Sequence, residues 1–196
     1  MKEIKGYKRE EYYKVYDKSG KLKRIIAKDE EKNLDEEEWL NGVSCFVVNE
    51  NGEVLIEKRV NKGLTPGKLD LCSGHIDGEE TKTQAMIREL REELGIEIEE
   101  AINVIKLDDN PLPLEFVSSN KKKKFFITFY CLKRKTSQVR IQEEEIEKVV
   151  WLPLEEVLAL IRSGRTKFPA DFNYEEIFQK LRDVIDNKRE VDVITK

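Results

Sequence analysis

The sequence predicts an α/β domain built on a mixed sheet. Three observations carry this. β-prone runs and helix-period runs alternate along the 196 residues. Asn51-Gly52 sits between two apolar runs, the strongest short-range hairpin signal. Residues 81–94 carry both a helix start and a helix stop: Thr81 with Gln84 forms a capping-box pattern, and Gly95 follows the last apolar position.

In chain order, Tyr12–Tyr16 and Leu22–Ile26 flank Asp17-Lys18-Ser19-Gly20 and predict a first hairpin. Residues 29–38 hold seven acids and one base, and read as a solvated linking segment. Val43–Val48 and Glu53–Ile56 predict the second hairpin, 62–68 a loop, and Leu69–Ser73 a short strand running into Gly74. After the 81–94 helix, Ile96–Val104 is apolar enough for a strand, Phe125–Leu132 is strongly β-prone, and Val149–Leu152 less so. Lys121–Lys124 reads as a solvated loop tip, with a basic rim for an anionic substrate as the alternative. Leu154–Arg162 and Asn173–Asn187 predict amphipathic helices, the second with Tyr174, Ile177, Phe178, Leu181, Val184 and Ile185 on its core face. The expected division is an N-terminal hairpin and acidic segment over 1–40, the main domain over 41–187 and a tail over 188–196.

Composition bounds the function. With 36 basic and 40 acidic residues the net charge is −4, so binding of nucleic acid through bulk positive charge is not expected. No apolar run approaches the ~20 residues that span a bilayer, and the N-terminus shows no signal-peptide core, so a cytoplasmic protein without membrane contact is expected. Cys45, Cys72 and Cys131 lie apart in apolar stretches and read as reduced, buried thiols. The single histidine, His75, excludes multi-histidine metal centres.

The chemistry concentrates in residues 74–96. On the predicted helix, Glu89, Glu92 and Glu93 fall within an arc of about 100°, while Met86, Leu90 and Leu94 share another face suited to packing on a sheet. Carboxylates this close repel one another. Arg88 offsets part of that repulsion, and a hard divalent cation such as Mg²⁺ or Mn²⁺ would offset more. An ordinary acidic solvated face is the competing explanation of the triplet alone.

Gly74, Glu80, Arg88, Glu89, Leu90, Glu92, Glu93, Gly95 and Ile96 together resemble the signature box of the Nudix hydrolase superfamily at every fixed position. The box covers 23 residues, and a weaker family-like layout extends over about 40–185, including Trp151-Leu152-Pro153-Leu154-Glu155-Glu156. The resemblance implies an α/β/α sandwich with a strand–loop–helix–loop that holds Mg²⁺ or Mn²⁺ against a small-molecule diphosphate. It implies Glu89, Glu92, Glu93 and the Ser73 carbonyl as metal ligands, with Gly74 and Glu80 supporting and Arg88 orienting the carboxylates. Hydrolysis needs a carboxylate to take a proton from water. Glu89, Glu115 and the run Glu143-Glu144-Glu145 are the candidates. Arg59 and His75 are candidate substrate contacts. A homodimer is left open.

The Asp17-x-x-Gly20 turn, the run Pro66–Asp70 and the Ser73-Gly74-His75 junction resemble the branch related to isopentenyl-diphosphate isomerases. Those isomerases carry a catalytic cysteine where this chain has Ser73. They carry a carboxylate where it has Lys121–Lys124, and further metal-binding histidines that it lacks. Cys72, one residue off on an alternating strand, is expected to face the other way. The implied function is hydrolysis of a phosphoanhydride in a nucleoside diphosphate linked to another moiety, or in a similar diphosphate. ADP-ribose pyrophosphatase (suggested by Pro111, fifteen residues past Ile96) and an isomerase-like enzyme are the alternatives.

Overall fold

The computed structural model describes residues 12–61, 66–98, 104–118, 121–134 and 138–186. The tail expected over 188–196, part of the 62–68 loop and most of the 96–104 strand lie outside them. Among the described residues, ten strands and three α-helices run in the order β1 (Tyr12–Tyr16), β2 (Leu22–Ala27), β3 (Leu40–Val48), β4 (Glu53–Arg59), β5 (Leu69–Asp70), β6 (Cys72–His75), α1 (Lys82–Leu94), β7 (Val104–Lys106), β8 (Leu112–Ser118), β9 (Lys121–Lys133), β10 (Ile146–Pro153), α2 (Leu154–Arg162) and α3 (Glu175–Ile185). β1 and β2 form a separate antiparallel hairpin. The main sheet follows the order β10-β4-β3-β9-β7, with β5 beside β4, β6 beside β3 and β8 beside β9. The β3–β9 pair is parallel and the other pairs are antiparallel, so the sheet is mixed as expected.

Alternation along β3 builds the two cores. Cys45 and Val47 face α1 and pack with Met86, Leu90 and Leu94. Phe46 and Val48 face the other way and pack with Val157 and Ile161 of α2 and Phe178 and Leu181 of α3. The three cysteines are free and buried. α1 begins at a formed capping box on Thr81 and ends at left-handed Gly95, both as its sequence dictates.

One feature of the sheet positions the site. β3 and β4 pair only at Val48 and Val54, beside their turn. Beyond it they part, and β6 pairs with β3 over residues 42–45 while β5 pairs with β4 at Glu57 and Lys58. The chain from Leu69 to His75 thus crosses the gap between two diverging strands and delivers Ser73 and Gly74 to its mouth.

Two expectations are corrected and one is refined. Residues 96–98 are irregular, because the left-handed turn at Gly95 folds buried Ile96 back against the α1 core instead of launching a strand. Residues 29–38 are largely exposed, as expected of a solvated segment, but they are not irregular throughout and one end is anchored. Lys28–Asn33 is a 3₁₀ turn, and Glu38 is buried in a bidentate pair with Arg24 at 2.9 and 2.8 Å. Lys121–Lys124 is not a loop tip but the start of β9, zipped to β8. There Lys123 is buried and bonds Glu31 at 3.2 Å, and Lys124 lies over the Trp39 ring.

Candidate active site

A cleft of about 590 Å³ opens where β3 and β4 part. Its acidic lining comes from Glu89, Glu92 and Glu93 of α1, with Asp70, Asp77, Glu144 and Glu145. Its apolar lining comes from Leu114 and Phe116 of β8, Phe125 and Ile127 of β9, and Phe168. Phe116 and Phe125 stack nearly parallel with centroids 5.4 Å apart. Lys28, Arg59 and Lys167 are cations on the same lining.

Arg88 organises the acidic part. Its Nε and Nη2 donate to the two Glu80 oxygens at 2.9 and 3.1 Å. Nη1 donates to Glu89 at 2.6 Å and Glu92 at 3.1 Å, and Nη2 also reaches the His75 carbonyl at 3.0 Å. A planar five-donor group is the side chain that can hold so many acceptors at once. Glu80 also accepts the Asp77 N–H, so it fixes the box loop to the helix through Arg88. Burial alone would lower the Arg88 pKa; the Glu80 bond and the Glu89 and Asp77 charges raise it instead.

The three box glutamates differ. Glu92 is half exposed, whereas Glu89 and Glu93 are buried. Glu93 accepts the Ser73 N–H at 3.0 Å, which joins α1 to β6, and lies 3.5 Å from Arg59. Burial, then the neighbouring Glu89 and Asp70 charges, push Glu93 up to about 8. Burial likewise raises Glu89, against the pull of Arg88. Gly74 leaves no room for a side chain: a Cβ there would overlap the Glu89 carboxylate.

Donor chemistry and burial fit a divalent cation. The donors are carboxylates gathered on one helix face, and burial disfavours the charged form of Glu89 and Glu93. A cation would reverse the upward shifts of Glu89 and Glu93. Behind Glu93, the Glu57 side chain is fully buried, and neither oxygen has a hydrogen-bond partner among the described residues.

The structure brings Ser73, Gly74, His75, Arg59, Arg88, Glu89, Glu92 and Glu93 together on the cleft. Ser73 Oγ bonds Ser44 Oγ and the Leu71 carbonyl. Cys72 faces away from Ser73, into the α1 core, as alternation demands. His75 stacks on Tyr13 at 4.7 Å and meets Phe125 edge-on, with Nε2 3.7 Å from Glu31. Of the candidate proton acceptors, Glu144 and Glu145 reach the cleft, and Glu145 lies 3.3 Å from Arg59. Glu143 is not on the lining, and Glu115 is turned to Lys124, 3.8 Å away.

Sequence reasoning missed Asp70, Lys167 and Glu57. The Asp70 side chain is fully buried, with Lys167 at 2.8 Å and Arg59 at 3.8 Å. A signal for Glu57 existed: period two along Leu55-Ile56-Glu57 puts it on the face of buried Leu55.

Comparison with known proteins accords with this geometry. The chain is 34% identical over 55 residues to a CTP pyrophosphohydrolase of Escherichia coli K12, covering 28% of this chain and 41% of that protein. It is 44% identical over 51 residues to an 8-oxo-dGTP diphosphatase of the same organism, covering 26% and 40%. The matches thus span about two fifths of these curated relatives. Among solved structures, DR0079 from Deinococcus radiodurans superposes with a TM-score of 0.63 at 23% identity, covering 88% of this chain and 98% of that one. A MutT protein from Methanosarcina mazei gives 0.54 at 24% identity, covering 77% and 96%. These likenesses show the fold. Residues 38–172 match the family model described as the NUDIX domain, and the chain belongs to that family.

Proposed function

We propose that the protein is a Mg²⁺- or Mn²⁺-dependent pyrophosphohydrolase. Its substrate would be a nucleoside diphosphate linked to another moiety, or a similar small diphosphate. The observation that carries this is one cleft uniting three kinds of surface: the box carboxylates on α1, the cations Arg59 and Lys167, and the stacked rings Phe116 and Phe125. An ester-linked diphosphate with an apolar or aromatic group needs all three.

In this proposal Glu89, Glu92 and Glu93 hold the metal, with the Ser73 carbonyl as a further ligand and Gly74 giving Glu89 its space. When bound, the cation neutralises diphosphate charge and makes water a stronger nucleophile. Arg88 keeps the carboxylates oriented while bonding Glu80. Arg59 and Lys167 take phosphate oxygens as fork and point donors respectively, and Phe116 and Phe125 hold the attached moiety by stacking. Glu144 or Glu145, at the cleft and off the crowded helix face, accepts the proton of the attacking water at a carboxylate oxygen; Glu89 is the alternative acceptor. His75, between Tyr13 and Phe125, shapes the substrate end.

The two curated relatives by name act on nucleotides, and this supports the nucleotide reading. We place the chain beside the isomerase-like branch through its N-terminal hairpin, whose Tyr13 lines the cleft, but give it hydrolytic chemistry because Ser73 occupies the cysteine position. In the same proposal the segment 12–40, through Tyr13 and Lys28, serves the domain that follows it as part of its substrate cleft, in the cytoplasm. The test is a screen of nucleotide sugars, dinucleotides, nucleoside triphosphates and isoprenyl diphosphates with Mg²⁺ or Mn²⁺. Phosphate-bearing products from a nucleotide class are expected. A dimethylallyl isomer formed from isopentenyl diphosphate at an enzymatic rate would overturn the hydrolytic assignment.

A further inference from the structure

Along β4, alternate side chains Leu55, Glu57 and Arg59 face α1. Leu55 packs in the α1 core. Arg59 reaches the cleft and lies 3.5 Å from Glu93. Between them sits Glu57, 0% exposed, with both carboxylate oxygens unpartnered among the described residues. An ionised carboxylate in that position is strongly disfavoured unless a cation compensates it. The neighbouring guanidinium of Arg59 turns to Glu93, Asp70 and Glu145, and no hydrogen bond from it to Glu57 is present among the described residues. What does meet Glu57 is a donor set. One ligand atom each from Glu57, Cys72 and Glu93 lie within 4.8 Å of one another, all buried. Ligands bound at roughly 2.0–2.3 Å to one ion fall within about 4.6 Å of each other, so small side-chain adjustments would close the shell.

We propose that Glu57, Cys72 and Glu93 form an inner divalent-cation position behind the box carboxylates, shared with the cleft through Glu93. It rests on the metal-dependent reading above for Glu93 and adds Glu57 and Cys72 to it. Two carboxylate oxygens and one sulfur favour borderline ions such as Co²⁺ or Zn²⁺ over the hard Mg²⁺. The inner ion would be the more tightly held of two, because its ligands come from three elements, β4, β6 and α1, and are screened from water. Glu92, half exposed on the outer turn of α1, serves only the outer position.

Co²⁺ titration of chelator-stripped protein tests this, because a cobalt–thiolate bond gives a near-ultraviolet charge-transfer band. Wild type should gain a saturable band. Glu92→Gln should keep it. Cys72→Ser should lose it, and Glu57→Gln should weaken its midpoint at least tenfold. Glu57→Gln is the deciding variant, since it keeps the side-chain shape and removes only charge, and its apo form should melt no lower than wild type. A wild type that binds Co²⁺ without the band, or a band with the same midpoint in Glu57→Gln, overturns the inner position while leaving the outer one standing. If wild type binds no Co²⁺ at all, the metal-dependent reading of the cleft falls with it.

Discussion

Arg88 Nη1 lies 2.6 Å from Oε1 of Glu89, its neighbour in sequence. Adjacent helical residues point about 100° apart, so the contact exists only because the guanidinium lies back across the helix while its other nitrogens hold Glu80 and the His75 carbonyl. One side chain therefore sets both the carboxylate direction and the loop that precedes the helix. A lysine keeps the charge but not the fork. Arg88→Lys should lower turnover by about 10–100-fold, the usual loss when a group orienting metal ligands is changed. Steady-state kinetics with saturating Mn²⁺, alongside circular dichroism to verify the fold, checks it. Turnover at the wild-type level would show that the fork is dispensable.

Gly74 is the second lever on Glu89. Its missing side chain is what admits the Glu89 carboxylate to the cleft. Gly74→Ala should displace Glu89 without unfolding the sheet, because β6 pairs with β3 through backbone groups that the methyl does not touch. A displacement of about 1 Å at a catalytic group can lower the rate about 100-fold. Activity and melting temperature measured together would show a large drop in the first and a small one in the second.

Leu90 and Glu89 separate scaffold from chemistry. Leu90 is fully buried with Met86 and Leu94, and its truncation to alanine should cost about 2–5 kcal/mol. Glu89→Gln gives up the Arg88 charge pair but relieves repulsion with Glu92 and Glu93. In chelator its stability should stay within about 1 kcal/mol of wild type, while turnover drops by 10²–10⁴-fold if Glu89 is the proton acceptor. A Glu89→Gln variant that melts like Leu90→Ala yet stays active would make Glu89 a structural residue.

The box was legible because it is local. Thr81, Gly95 and the period of Met86, Leu90 and Leu94 fix α1 within fifteen residues, and helical geometry then dictates which glutamates converge. β8 was not legible, since Pro111 and Pro113 break the strand signal. Pro113 is tolerated because β8 pairs on one side only, with β9. Once β8 exists, Lys121–Lys124 must be strand. Lys167 could not be read from sequence at all: it meets Asp70 across 97 residues of chain through the connection from α2 to α3. Glu57 is readable from alternation alone, which sets it on the face of buried Leu55.

Glu38 gives the acid limb of stability. The Arg24 hydrogen bonds, opposed by burial and aided by the Asp35 N–H, draw its pKa from 4.5 to about 2. A folded-state pKa below the unfolded one means stability that is complete above about 4.5 and is lost as pH falls toward 2. Arg24 is substantially solvated, so the contribution after screening is on the order of 1–2 kcal/mol. Glu38→Gln should therefore unfold more readily than wild type at pH 6–7, by a margin that is flat down to pH 5 and closes between pH 4.5 and 2. Urea midpoints of the two proteins across that range measure the margin directly. Because the other carboxylates titrate alike in both, their effect cancels in the difference. A margin that persisted unchanged at pH 2 would assign the loss to packing around Glu38 instead of to its charge.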